Sequence, residues 1–234
     1  MFYRYLWKLI PKLQRIYLLE RCSVVERQAL NKLFSANLQY PEAFRQRDCL
    51  FIHVPKCAGN SICAALFEGW SPGHLPLHWY ERQFPEQYAS AFKFSFVRDP
   101  LDRAYSAYTF LRGNPTGKRD VEAHRLVSSY RDFDEFVCQW LDAENIHRQM
   151  HFAPQSDFLT DSLGCLGMDF IGQQENLAVD FQHLCERFGV SVDLPHLNPS
   201  RERPAGDVRE FCSVRTRRLI RRVYHRDYER LGYE

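Results

Sequence analysis

One segment of the chain combines a lysine, a glycine and a serine in an order suited to binding an anion. The segment reads His53-Val-Pro-Lys-Cys-Ala-Gly-Asn-Ser61 and follows a short apolar run. Gly59 lets the backbone approach an anion closely, and the amides of residues 59–62 would open a helix, where N–H groups and the helix dipole attract negative charge. Lys56 adds a point charge and Ser61 adds a hydroxyl. Taken alone, these residues are also compatible with an ordinary strand-to-helix turn.

The order of residues in this loop differs from that of the nucleoside-triphosphatase phosphate loop. That loop carries its lysine directly after its last glycine, whereas Lys56 precedes Gly59. The other glycine–lysine stretch, residues 113–119, has the wrong spacing, no hydroxyl residue after its lysine and no predicted strand before it. We therefore predict a phosphate-loop-like anion cradle of a different kind at residues 53–61.

A second basic motif follows the next apolar run and reads Phe96-Val-Arg-Asp-Pro-Leu-Asp-Arg-Ala-Tyr-Ser-Ala-Tyr108. Arg98 stands at the end of a predicted strand, and an arginine can donate two parallel hydrogen bonds to a phosphate. Arg103 and Ser106 are three residues apart and share one helix face, so the serine hydroxyl can complete the shell. Ligands bind at the carboxyl ends of strands in open α/β sheets, where both motifs are expected to meet. Two anion sites at one sheet edge suit a nucleotide with phosphates at both ends of its nucleoside.

Together the two motifs resemble those of the Golgi-type carbohydrate sulfotransferases and their bacterial relatives, the sulfotransferase family 2-like proteins. The first is similar to the 5′-phosphosulfate loop of that family and the second to its 3′-phosphate motif. Segments 151–159, 169–176 and 227–233 also look like family segments, so the resemblance covers roughly residues 49–234. It implies a sulfotransferase domain that moves a sulfuryl group from 3′-phosphoadenosine 5′-phosphosulfate (PAPS) to a hydroxyl of a carbohydrate or glycoconjugate acceptor, with no metal ion.

The resemblance also implies which residues contact the donor. The 3′-phosphate would be bound by Arg98 and Ser106, and Ser200 and Arg201 of a late loop are further candidate phosphate contacts. Cys57 stands where the family often has threonine, which would place a reactive thiol near the donor. The residues that would hold the 5′-phosphosulfate are Lys56, Cys57, Ala58, Gly59, Asn60 and Ser61.

Transfer to a hydroxyl requires charge stabilisation and a base. Sulfuryl transfer resembles phosphoryl transfer, an in-line displacement dominated by positioning and charge, and Lys56 would neutralise the charge that develops on the leaving oxygen. A histidine titrates in the range suited to taking the acceptor proton. His74, in a glycine–histidine pair, matches the catalytic histidine of the uronyl 2-O-sulfotransferases of this family, and His78 is the second candidate. Both histidines can also be structural, as can His53, whereas His151 is a candidate contact to acceptor or donor or a packing residue.

The spacing of apolar residues indicates the elements that position these motifs. The runs 49–54, 92–97 and 168–172 are short, apolar and rich in strand formers, as expected of buried parallel strands. Helical patterns alternate with these runs, which favours an α/β fold with a central parallel sheet flanked by helices. Asp99 suits a helix N-cap and Pro100 the first helical position. Helices are predicted over residues 61–67, 101–111, 132–150, 174–188 and 207–231, and a mobile loop over residues 113–131.

Composition limits the class of protein. The chain has 234 residues, which suits one domain with appendages, and its net charge of +2 provides no general attraction to nucleic acid. Its eight cysteines form no CxxC pair and show no zinc-site spacing. We therefore expect reduced thiols in a cytoplasm-like compartment.

Residues 1–48 form a predicted N-terminal helical extension outside the resemblance, followed by the sulfotransferase domain at residues 49–234. The first nineteen residues are apolar but are interrupted by four basic residues. They lack both the run of about 20 apolar residues that spans a bilayer and the features of a secretory signal. Such a segment could lie on an anionic membrane surface, pack on the domain or form a disordered arm. We expect a cytoplasmic protein, with peripheral membrane contact through residues 1–19 as one alternative.

Two other functions remain open at this point. One is a nucleotide-dependent phosphotransferase on a similar scaffold, which the position of Lys56 before the glycine disfavours and which magnesium-dependent ATP binding would support. The other is a nucleotide-binding protein without catalysis. Intact Lys56, Ser61, Arg98 and Ser106 argue against that second function.

Overall fold

Three parallel strands form the centre of the protein. The computed structural model of the chain describes residues 7, 9–34, 39–113, 120–195 and 207–234. Within these residues the strands are β1 (Cys49–Ile52), β2 (Phe92–Val97) and β3 (Phe170–Gln173), in the order β1-β2-β3. Both strand pairs are parallel, with Phe51 opposite Phe94 and Phe96 opposite Gly172. The prediction of an α/β fold with a central parallel sheet is confirmed.

Helices flank this sheet because parallel strands need cover on both faces. The helices before the sheet are α1 (Lys12–Glu20), α2 (Val24–Leu33) and α3 (Glu42–Arg45). Between β1 and β2 lie α4 (Gly59–Leu66), α5 (Leu77–Gln83) and α6 (Pro85–Ser90). Between β2 and β3 lie α7 (Pro100–Arg112), α8 (Val121–Ser128), α9 (Phe133–Gln139), a 3-10 turn at Asn145–His147 and α10 (Ser156–Leu159). After β3 come a 3-10 turn at Gln174–Asn176 and the helices α11 (Leu177–Phe188), α12 (Val208–Phe211), α13 (Val214–Val223) and α14 (His225–Leu231).

Two groups of buried apolar side chains hold these elements together. One surrounds the sheet and includes Val25 and Ala29 of α2, so part of the N-terminal extension packs in the same core as the strands. The other joins α7, α8, α9 and α13 and includes Leu111, Phe136 and Ile220. Burial of these side chains supplies most of the driving force for folding.

The C-terminal segment forms three helices where one helix over residues 207–231 was predicted. The hydroxyl of Ser213 accepts a hydrogen bond from the amide of Thr216 at 3.1 Å and so caps a new helix after the extended Cys212. At Tyr224 the backbone leaves the helical region (φ −101°, ψ 24°). The side-chain hydroxyl of Tyr224 donates a hydrogen bond to the carbonyl of Phe152 at 2.7 Å. A local cap and a tertiary contact therefore divide a segment whose apolar spacing is continuous.

The helix predicted over residues 132–150 is also shorter, since α9 ends at Gln139. The carboxylate of Asp142 accepts hydrogen bonds from the amides of Glu144 at 2.9 Å and Asn145 at 2.7 Å. Such side-chain bonds compete with the helical backbone pattern. A 3-10 turn replaces the continued helix.

The loop predicted over residues 113–131 contains the helix α8, whereas residues 114–119 lie outside the described part. Ala123 and Val127 are four residues apart and buried on one face of this helix. The polar composition of the segment hid this narrow apolar stripe, and the prediction of a mobile loop is wrong for residues 121–128.

A buried hydrogen-bond network connects the C-terminal helix to the carboxyl edge of the sheet. Asp227 of α14 is fully buried, and its carboxylate accepts from the backbone amides of Gln155 at 2.8 Å and Ser156 at 2.9 Å. The Gln155 side chain, also fully buried, accepts from the Arg98 amide at 2.9 Å and donates to the Arg98 carbonyl at 2.7 Å. The thiol of Cys57 donates to the same Gln155 oxygen at 3.2 Å. One amide side chain therefore links the loop after β1 to the end of β2.

Arg103 supports this network from the other side. Its guanidinium is fully buried and donates to the carbonyls of His151 at 3.1 Å and Ala153 at 2.8 Å. Burial raises the pKa of Asp227, and the positive charge of Arg103 acts in the opposite direction. Arg103, which shares the motif with Arg98, therefore has a structural role.

We expect the Asp227→Ala variant to be destabilised by about 3 kcal/mol or more, because it leaves two buried backbone amides without an acceptor at about 1–3 kcal/mol each. The free energy of unfolding in urea measures this effect. Asp193→Ala removes an exposed carboxylate and serves as the matched control, with an expected change within about 0.5 kcal/mol. Equal stability of the two variants would contradict the role given to Asp227.

Candidate active site

The loop after β1 has the backbone geometry of an anion cradle. Lys56 and Ala58 have φ angles of 69° and 60°, in the left-handed region that non-glycine residues rarely adopt. Left-handed residues in such a turn can direct successive N–H groups into one concavity that binds anions. Ala58 is the N-cap of α4 and has no side-chain acceptor to offer, and the first amides of a helix have no partner within it. The amides of Gly59 and Asn60 are therefore suited to a ligand.

Gly59 is required because a histidine ring lies beside it. A Cβ atom added to Gly59 would lie 2.0 Å from Cδ2 of His53, which is far below contact distance. His53 is buried, and burial, followed by the neighbouring His74, lowers its pKa well below the ordinary value. The neutral ring of His53 thus packs against the loop beside Gly59. This agrees with the prediction that His53 can be a structural residue.

Lys56 is a half-buried cation next to a second cation. Its ammonium lies 3.9 Å from the ring centre of Phe110 on α7. Burial, and then the nearby guanidinium of Arg98, lower the pKa of Lys56 to about 8. A bound anion beside both groups would offset their repulsion and stabilise the charged form of the lysine.

The side chain of Cys57 faces the interior. The residue is buried, its thiol donates to Gln155, and burial raises its pKa to about 12. A thiolate is the reactive form of cysteine. The expectation of a reactive thiol near the donor is therefore wrong, and Cys57 can contribute only its backbone to the cradle.

Arg98, directly after β2, and Ser106, on α7, are both buried. The Nη2 atom of Arg98 lies 3.6 Å from the carboxylate of Asp102, and Asp102 and Ser106 are four residues apart, hence on the same helix face. The Nε atom of Arg98 is buried and has no hydrogen-bond partner in the part of the chain that the structure describes. An unsatisfied buried donor is costly, and a phosphate oxygen would satisfy it.

The start of α7 is fixed to both neighbouring segments. Asp99 caps the helix by accepting two backbone hydrogen bonds at 3.0 Å, and Pro100 occupies the first position, as predicted. The second carboxylate oxygen of Asp99 accepts a hydrogen bond from Arg209 at 2.7 Å. The backbone amide of Asp99 donates a hydrogen bond at 2.7 Å to the carboxylate of Glu175, which follows β3. The ends of β2 and β3 are thereby joined at the sheet edge that carries Arg98.

His74 lies next to the cradle on the connection between α4 and α5. Its Nδ1 atom is 2.8 Å from the carbonyl oxygen of His53, and the two rings are 4.4 Å apart. Because a carbonyl can only accept, Nδ1 carries the proton and Nε2 is the basic atom of the neutral ring. The structure therefore places this predicted residue beside the loop and in the tautomer that a base requires.

His78 lies in the first turn of α5 and has different surroundings. Burial, and then the charge of Arg82, lower its pKa. Its other electrostatic neighbours are Glu26, Glu81 and the backbone of Thr160. None of these residues belongs to the two basic motifs.

A carboxylate–histidine pair lies on another side of Lys56. The Nε2 atom of His151 is 3.2 Å from the carboxylate of Asp120, and the His151 ring lies 5.4 Å from Phe110, on which Lys56 rests. The sequence marked His151 as a candidate contact but provided no signal for Asp120, which is 31 residues away.

Two further residues of the site were missed as functional positions. Gln155 and Asp227 fall in segments that resemble the family, yet nothing in their spacing indicates that they hold the two motifs together. A buried amide or carboxylate bonded to backbone groups has no sequence pattern of its own. The candidate phosphate contacts Ser200 and Arg201 lie outside the described residues.

Comparison with known proteins agrees with this geometry. The family whose sequence model matches is described as "Sulfotransferase family", and the match spans residues 44–234. Searches among curated proteins and among solved structures give no match. The family match includes all three strands, both basic motifs and the Gln155–Asp227 network, and it covers far more than half of the chain. The chain is thus a member of the sulfotransferase family.

Proposed function

We propose that this sulfotransferase moves the sulfuryl group of PAPS to a hydroxyl of a carbohydrate or glycoconjugate acceptor. The observation that carries the proposal is the linkage by Gln155 of the cradle after β1 to Arg98 after β2. PAPS carries phosphate groups at both ends of its nucleoside, so its recognition requires two anion sites at a fixed separation. The carbohydrate acceptor is supported by the resemblance of both motifs to those of carbohydrate sulfotransferases.

Each part of the site has one role in donor binding. The amides of Gly59 and Asn60, with the hydroxyl of Ser61, would hold the 5′-phosphate at the start of α4, where the helix dipole also favours an anion. Arg98 would fork onto the 3′-phosphate with the help of its buried Nε, and Ser106 would complete that shell. The bound donor would supply the sulfuryl group for transfer, and its 5′-phosphate would be the leaving group.

Lys56 and His74 would carry the transfer itself. The positive charge of Lys56 would stabilise the negative charge that grows on the leaving phosphate. His74 would accept the proton of the acceptor hydroxyl at Nε2, while the carbonyl of His53 holds the Nδ1 proton and fixes the ring. The loop after β1 would position Lys56, and the His53 carbonyl would orient His74; such positioning contributes to the rate of an in-line displacement.

A reducing compartment such as the cytoplasm is part of the proposal. All eight cysteines lie among the described residues, and each is a free thiol. Five of them are buried and pack as small apolar side chains. Free thiols in this number suit a compartment that keeps cysteine reduced.

The donor assignment is tested by calorimetric titration with 3′-phosphoadenosine 5′-phosphate, in parallel with ATP and magnesium. We expect the first nucleotide to bind without a metal ion and Arg98→Ala to bind it about 10- to 100-fold more weakly, because charged hydrogen bonds are lost. Arg45→Ala, which removes a surface arginine paired with Glu42, is the matched control. Preference for ATP with magnesium would favour a phosphotransferase instead.

The lowered pKa of Lys56 predicts a pH dependence of binding. A lysine is charged below its pKa, so affinity for the same nucleotide should fall as the pH is raised through about 8. Lys56→Arg keeps its charge throughout this range and should remove the decline. A titration series across this range measures both proteins, and an equal decline in both would exclude Lys56 as its source.

The assignment of the base is tested by transfer of radiolabelled sulfate from PAPS to a panel of carbohydrates. We expect His74→Ala to lose about 100-fold or more of the rate while its nucleotide affinity is unchanged. His78→Ala is the matched control and should keep its activity. Full activity of His74→Ala combined with loss in His151→Ala would transfer the role of base to the His151–Asp120 pair, and loss in neither variant would contradict a histidine base.

A further inference from the structure

The N-terminal helix α1 presents an apolar surface to solvent. None of its residues is fully buried. Leu13, Ile16 and Tyr17 are 81%, 42% and 54% exposed and lie at positions i, i+3 and i+4, which share one helix face. Leu9, just before the helix, is 78% exposed. An exposed cluster of large apolar side chains marks an interaction surface.

This surface lies in a basic segment of the chain. Residues 1–21 contain five basic residues and one acidic residue, a net charge of +4, whereas the whole chain carries only +2. The guanidinium of Arg21 lies 4.4 Å from the ring centre of Tyr17 and thus next to the apolar cluster. Apolar side chains combined with an excess of cations match the two parts of an anionic membrane surface, its acyl chains and its phosphate headgroups.

The helix α1 is joined to the domain through α2. Ser23 forms a capping box with Glu26 at the start of α2, and Val25 and Ala29 of α2 are buried in the core around the sheet. In the described part of the chain, no helix is long and apolar enough to cross a membrane. The arrangement therefore fits a helix that lies on a bilayer and is held to the domain by α2.

A second copy of the chain fits this surface less well. The face of a helix of nine residues is only about 14 Å long and buries far less than the roughly 800 Å² per partner of a stable interface. A symmetric dimer would also place the basic residues of one copy against those of the other.

We propose that α1 and Leu9 form a docking surface for an anionic lipid bilayer, with Leu13, Ile16 and Tyr17 inserted among the lipids. The helix α2, which follows the docked helix, contacts the connection that carries His74. Gln28 of α2 lies beside Gly73, with its Nε2 atom 3.6 Å from the position of an added Cβ, and Gly73 immediately precedes His74. Docking does not depend on the proposed sulfation and would bring acceptors at the membrane surface near this loop.

The test is flotation of the full chain with vesicles of phosphatidylcholine, either alone or mixed with phosphatidylglycerol. We expect binding to the mixed vesicles, weaker binding to the neutral vesicles, and weaker binding to the mixed vesicles at high salt. The double variant Leu13→Glu/Ile16→Glu should lose about tenfold or more of the binding, because charges on the inserted face oppose burial.

The matched control adds the same charge at two other exposed apolar residues, Leu163 and Val179. Leu163→Glu/Val179→Glu should bind mixed vesicles about as well as the wild type. Equal loss in both double variants, or no binding of the wild type, would overturn the proposal. A dimer of the wild type that Leu13→Glu/Ile16→Glu dissociates, measured by sedimentation equilibrium without vesicles, would assign the surface to a second copy. Binding of 3′-phosphoadenosine 5′-phosphate should be unchanged in both variants, so this result and that of the donor assignment are independent.

Discussion

The hydrogen bonds of one buried side chain, Gln155, set the geometry on which the site depends. Its amide group spans the gap between the loop after β1 and the end of β2 by bonding to the Cys57 thiol and to both backbone groups of Arg98. Asp227 holds the Gln155 backbone in turn. Buried hydrogen bonds of this kind restrict the relative positions of the groups that they join. The two basic motifs consequently have one allowed separation, and the C-terminal helix is part of what defines it.

This rigidity is needed because the site itself is energetically unfavourable. Two non-glycine residues of the loop, Lys56 and Ala58, have left-handed backbone angles, each at a cost of about 1–3 kcal/mol. The Lys56 ammonium is partly buried beside the Arg98 guanidinium. The two apolar cores and the network around Asp227 and Gln155 offset these terms. Such local conflict with the ordinary rules of protein structure is expected at a functional site.

The features that depend on local residue order could be predicted from the sequence. Buried parallel strands are continuous apolar runs, and Asp99 followed by Pro100 is a local signal for the start of a helix. The turn between β1 and α4 is also local, because Lys56 and Gly59 stand between an apolar run and a helical pattern.

The features that depend on distant partners could not be predicted. Gln155 and Cys57 are 98 residues apart, and His151 and Asp120 are 31 residues apart. Only the fold brings each pair together. The burial of the Cys57 thiol could not be predicted either, because the neighbouring residues in the sequence do not determine whether that side chain points into the core. The helix breaks at Ser213 and Tyr224 were missed because a side-chain cap and a tertiary hydrogen bond outweighed continuous apolar spacing.

The lowered pKa of Lys56 couples the binding of an anion to the uptake of a proton from the solvent. Near pH 8 a substantial fraction of the protein carries a neutral lysine, while an anion bound beside it favours the ammonium form. Binding of the anion and uptake of a proton then become a single thermodynamic event. The heat of the proposed anion binding would then include the ionisation enthalpy of whichever buffer supplies the proton.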